Sequence, residues 1–94
     1  MAKYEMLYLL NNEATDEVKA AEVEKYETIV KSMNGTVVST DKWGTKKLAY
    51  PIKFKNEAYY VLMTFEADGS VVNELDRIAG IDGEVLRRMI TKLN

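Results

Sequence analysis

The sequence predicts an α+β fold in which four antiparallel strands carry two helices on one face. Three observations predict it. Apolar residues alternate along the segments 3–10, 46–54, 58–67 and 85–93; two intervening segments carry apolar residues at helical spacing; and turn or cap residues separate the elements. With 94 residues, 47% of them hydrophobic, the chain can build one two-layer core and not two, so residues 1–94 are read as one domain.

The first strand places Tyr4, Met6, Tyr8 and Leu10 on one parity and Glu5, Leu7 and Leu9 on the other. It is therefore buried on one face and largely apolar on the second. After the polar connection 11–14, Thr15 is positioned as an N-cap, with Asp16 and Glu17 at the positive end of a helix dipole. Val18, Ala21, Tyr26, Ile29, Val30 and Met33 form the apolar stripe of that helix, while Lys19, Glu24, Glu27 and Lys31 keep its other face wet. Asn34-Gly35 ends it. The dipeptide also suits a hairpin, but it follows a helical period, so Gly35 is assigned the left-handed position beyond the C-terminus.

The stretch 36–40 is rich in β-branched residues and 46–54 alternates, with Trp43-Gly44 between them, which predicts one long, kinked second strand. Pro51 offers no ladder donor and belongs at an edge or beside a bulge; Lys55-Asn56-Glu57 makes the tight return. In the third strand Tyr59, Val61, Met63 and Phe65 alternate against Tyr60, Leu62, Thr64 and Glu66. Asp68-Gly69 turns the chain, Ser70 caps, and Val71, Val72, Leu75, Ile78 and Ala79 make a second helix that stops at Gly80. Residues 85–93 supply the last strand. The order β-α-β-β-α-β is the ferredoxin-like split βαβ arrangement.

Composition excludes several classes. Without cysteine or histidine there is no disulfide, no thiolate or imidazole metal site and no iron-sulfur centre, so neither a metal nor a cofactor is expected. Nucleophilic catalysis would lack its usual base, and no catalytic residue is assigned; Asp41, Asp68 and Asp82 are read as turn formers and solvated charges. Gly44-Thr45-Lys46 lacks the loop that a nucleotide site needs. The N-terminus shows no basic and apolar leader, and its apolar run spans only 6–10, so neither a signal peptide nor a membrane span is expected. Asn34-Gly35-Thr36 matches a glycosylation acceptor, a pattern that matters only in a secreted chain.

The 13 basic and 15 acidic residues give a net charge of -2, which argues against nucleic acid until the distribution is considered. Lys42, Lys46, Lys47, Lys53 and Lys55 lie in a segment with no acid, and Arg87, Arg88 and Lys92 cluster in the last strand. The acids concentrate in and around the helices. Lysines beside Trp43 and Tyr50 suit phosphate pairing with rings against sugars or bases; a lysine-rich strand equally protects a sheet edge. In the split βαβ order the first and third strands are central, so Leu7, Leu9, Tyr60 and Leu62 project from the face without helices. An apolar patch of that kind suits a docked partner.

Tyr4-Glu5, Gly35, Trp43-Gly44, the run from Lys46-Lys47 through Leu48-Ala49-Tyr50-Pro51-Ile52, Tyr59-Tyr60, Val72-Asn73-Glu74-Leu75 and Arg87 together resemble the bacterial small-subunit ribosomal protein six family over essentially the whole chain. The resemblance implies a noncatalytic role in the platform of the cytoplasmic small ribosomal subunit. It implies binding to the central domain of small-subunit ribosomal RNA together with ribosomal protein eighteen, with no small-molecule substrate. Carried over by position, it makes Lys3, Lys46, Lys47, Arg87 and Lys92 RNA contacts, with Tyr50 beside them and Trp43 joining the partner face; Arg88 is added on charge. Family members often carry arginine where this chain has Ala2 and Lys3, and a charged tail that is absent beyond Asn94, so the sheet surface is expected to carry more of the partner contact. The reading from residues alone keeps an alternative, a ligand-sensing or dimerising regulatory domain of the same topology.

Overall fold

Alternation puts Met6, Tyr8 and Leu10 on one side of β1 (Ala2–Asn11), and all three are buried. The remaining elements are α1 (Asp16–Ser32), β2 (Thr36–Ile52), β3 (Lys55–Ala67), α2 (Gly69–Ile81) and β4 (Val85–Lys92). This computed structural model describes residues 1–93; Asn94, on which the expectation of a shortened tail rests, lies outside the described residues. The strands form one antiparallel sheet in the order β2-β3-β1-β4, with β3 and β1 central as the topology predicted. Met6, Tyr8, Leu10, Val61, Met63 and Phe65 meet Val23, Tyr26 and Val30 of α1 and Val71, Leu75 and Ala79 of α2 in a single core. No described helix is long and apolar enough to cross a membrane.

The Thr15 hydroxyl accepts a hydrogen bond from the Val18 amide at 3.2 Å, the expected cap. The stripe differs from the expected one. Val23 joins Tyr26 and Val30 in the core, whereas Val18 and Ala21 are exposed. At about 100° per residue, the nine steps from Ala21 to Val30 carry the chain to the opposite side of the helix. The C-terminus is also corrected. Asn34, not Gly35, holds the left-handed conformation, with φ of 65°. The Gly35 amide donates to the Val30 carbonyl at 2.8 Å and the Asn34 amide to Lys31 at 3.2 Å, the paired bonds of a Schellman motif. Gly35 is needed for room: a Cβ there would lie 2.7 Å from Val30 Cγ1, 2.9 Å from the Val30 carbonyl oxygen and 3.1 Å from that of Glu66.

The long second strand is kinked as expected, with register shifts at 37/39, 42/44 and 47/52, and Gly44 takes φ of 84° at the middle one. Its return lies earlier than predicted. Ile52 pairs with Lys55, so Lys53 (φ 50°) and Phe54 (φ 65°) form a two-residue turn, and Asn56 and Glu57 already belong to β3. Two left-handed central residues make a type I′ geometry that usually selects Asn-Gly; here two bulky residues adopt it at a cost of about 1–2 kcal/mol each. In α2 the N-cap is Asp68 rather than Ser70, and the helix continues through Gly80 to Ile81. Gly80 is where the Arg88 guanidinium crosses the helix, 3.0 Å from the site of a Cβ.

One polar cluster ties α1 to the corner between α2 and β4. Asp82 Oδ2 accepts from Tyr26 Oη at 2.7 Å and from Lys25 Nζ at 3.0 Å, while Oδ1 accepts from the Glu84 amide at 3.0 Å. Burial opposes ionisation of Asp82, but hydrogen bonds from Glu22, Tyr26, the Glu84 amide and Lys25 outweigh it and hold the carboxyl below its ordinary range. Glu22 Oε2 is buried with no donor among the described residues. Burial, then the bond to Asp82, pushes Glu22 up to about 7, so its carboxyl holds a proton through the mildly acidic range, beside an Asp82 that stays ionised.

Two outcomes follow from these contacts. Gly35→Ala lowers stability by about 2 kcal/mol through overpacking, read from the midpoint of urea unfolding; an unchanged midpoint would show that the close approach is soft. Because the folded value for Glu22 lies above the ordinary 4.5, the unfolded chain loses this proton first and stability falls as pH rises from 4.5 to about 7. Solvent screening limits the fall to about 1 kcal/mol. Thermal unfolding between pH 5.5 and 8 shows this slope in the wild type, and Glu22→Gln flattens it.

Candidate nucleic-acid interface

Register arranges the face without helices into rows that run across all four strands. At one end Trp43-Gly44, Tyr60, Leu9 and Arg87 share a row; the next holds Asp41, Leu62, Leu7 and Met89; the next, polar, includes Thr64, Glu5 and Thr91. Lys3 stands farther along, opposite Glu66. The surface thus grades from cationic and aromatic, through a row that is apolar except for Asp41 at its β2 edge, to mixed polar.

The first row is tightly organised. Trp43 stacks on Tyr60 with ring centroids 6.2 Å apart and planes 14° from parallel, and Lys46 Nζ sits 5.7 Å from the Trp43 centroid. Arg87 Nη1 donates to Tyr50 Oη at 2.8 Å. Tyr50 belongs to one edge strand and Arg87 to the other, so this bond requires the far part of the β2–β3 hairpin to bend across the open face. Leu9 accordingly retains only 5% of its exposure although no helix covers it. Leu7, Leu9, Tyr60, Arg87 and Met89 surround a shallow hollow of about 160 Å³.

The residues singled out from sequence divide between two faces. Trp43, Lys46, Tyr50 and Arg87 lie together beside Leu7, Leu9, Tyr60 and Leu62. Lys47, Arg88 and Lys92 have the helix-side parity, opposite Glu57, Tyr8 and Tyr4 respectively. Arg88 Nε is also bound to Asp76 Oδ1 at 3.0 Å, so its charge is partly spent within the fold. Met89 was missed, although its two-residue spacing from Arg87 carried the signal. The same alternation separates the neighbours Lys46 and Lys47.

Chemically, this face offers cations for phosphates, rings for sugars or bases, and an apolar floor for a protein. Among the described residues no three acidic side chains converge in a way that could hold a metal ion.

Comparisons with known proteins bear on the family and the fold. The family model described as ribosomal protein S6 matches residues 3–92. The chain is 43% identical over 90 residues to small ribosomal subunit protein bS6 of Clostridium botulinum, covering 96% of each chain, and 41% identical over 92 residues to bS6 of Clostridium kluyveri, covering 98% of this chain and 97% of that one. The crystal structure of 30S ribosomal protein S6 from Thermotoga maritima superposes with a TM-score of 0.93 at 25% identity, over 98% of this chain and 87% of that one. An Arabidopsis thaliana protein superposes with a TM-score of 0.57 at 11% identity over 100% and 94% of the two chains, a likeness of fold alone. A match across nearly every residue, from the strand bearing Lys3 to the strand bearing Arg87, shows that the chain belongs to the ribosomal protein S6 family.

Proposed function

We propose that the chain binds the central domain of small-subunit ribosomal RNA jointly with ribosomal protein eighteen, as a structural and noncatalytic constituent of the ribosome. Membership in the S6 family establishes the coarser role, a structural protein of the small subunit that is not an enzyme. The observation that supports the finer reading is the juxtaposition of Lys46, Trp43, Tyr50 and Arg87 with the apolar row Leu62, Leu7 and Met89 on one face. Phosphates and bases take the cationic, aromatic end. The protein partner takes Leu7, Tyr60, Leu62 and the flank of Trp43; Leu9, expected among these contacts, is only 5% exposed and instead backs them from beneath.

Lys3, Lys47 and Lys92 extend the RNA contact to the rims of the sheet, and Arg88 contributes where RNA competes with Asp76. Net charge of -2 supplies little long-range attraction, so affinity depends on local contacts completed by the partner.

Paired substitution Lys46→Glu and Lys47→Glu weakens binding to a central-domain RNA fragment, with the partner present, by about tenfold or more. It also lowers the salt dependence by about one unit for each lost phosphate contact. Unchanged affinity would remove this surface from the interface. The protein alone binds the same fragment weakly and gains affinity when the partner is added, measured by titration at physiological salt; tight binding without the partner would refute joint recognition.

A further inference from the structure

Phe54 is 101% exposed, more than any other large apolar side chain among the described residues. It occupies a hairpin tip in which both central residues adopt a backbone conformation that side chains disfavour, and the strain persists where a glycine would relieve it. Strained, exposed features of this kind concentrate at binding sites.

Its surroundings narrow the occupant. Lys53 precedes it and makes no ion pair among the described residues, while a hollow of about 370 Å³ beside the ring is lined by Asn12, Glu13, Lys55, Asn56 and Glu57. Lys55 is paired with Glu13. An apolar protein surface would find one ring in a polar setting. A phosphate would meet Glu57. An uncharged, planar, hydrogen-bonding group suits all of these features: it can stack on the ring, meet the amides of Asn12 and Asn56, and leave its own phosphate for Lys53.

We propose that the tip of the β2–β3 hairpin captures one unpaired RNA base, stacked on Phe54. The inference rests on RNA binding as the function of this chain and adds a contact at the hairpin tip, outside the rows of the sheet face.

The test uses the full chain with its protein partner and a central-domain RNA fragment. Phe54→Ala and Phe54→Gly weaken RNA binding about tenfold, whereas Phe54→Tyr keeps it within about twofold. Phe54→Gly also raises the thermal midpoint, because glycine adopts the turn without strain; stability and affinity then move in opposite directions, which a merely structural role would not produce. One nucleotide shielded from a base-modifying reagent by the wild type becomes reactive with Phe54→Ala. Unchanged affinity in Phe54→Ala, with binding still weakened by Lys46→Glu and Lys47→Glu, overturns the tip contact and leaves the sheet surface standing. If neither variant weakens binding, both readings fall. If Phe54→Ala weakens only binding to the protein partner without RNA, the tip is a protein contact and the proposal is overturned.

Discussion

The pairing of β1 between β3 and β4 is the constraint on which the remaining structure depends. This strand is hydrogen-bonded along both edges, buries Met6, Tyr8 and Leu10 toward the helices, and turns Leu7 and Leu9 the other way. A slip of one residue would exchange the two sets and expose the core. The same register aligns Tyr60, Leu9 and Arg87 in one row, so the pairing that stabilises the fold also assembles the cationic and aromatic row of the open face. The hairpin then bends over that row until Tyr50 meets Arg87, a cover for the face that the two helices leave open.

Much of this was legible because it follows from short-range patterns. Period-two alternation located β1 and β3, Thr15 announced the start of α1, and the strand order placed Leu7, Leu9, Tyr60 and Leu62 on one face. What escaped depended on contacts distant in sequence. Gly35 is required by the approach of the Val30 side chain and the Glu66 backbone, whereas Asn34 carries the left-handed turn. The hairpin tip fell at Lys53-Phe54 because strand pairing imposed an unfavourable local conformation there, so the better turn former at Asn56 misled. Glu22 gave no sign of being drawn inside, since only the folded chain sets it beside Asp82.

The charge pattern shows a similar division between local and assembled information. The lysine-rich stretch 42–55 was plain, but alternation and the helix layer decide which cations share a surface. Lys46 joins Trp43 and Arg87, while Arg88, adjacent in sequence to Arg87, crosses Gly80 and is held by Asp76. A charge cluster in sequence is therefore two clusters in space, and only one adjoins the apolar floor.

The two outer strands present backbone groups that could pair with another chain, and they are guarded differently. β2 is interrupted by three register shifts and carries Pro51, which breaks the continuous template that self-pairing needs. β4 runs without interruption from Arg87 to Lys92 and depends on the charges of Arg87, Arg88 and Lys92 to repel a second copy. Polyanions that neutralise those charges also weaken this defence, so a chain whose β4 edge is charge-neutralised but uncovered is the state most exposed to edge-to-edge aggregation.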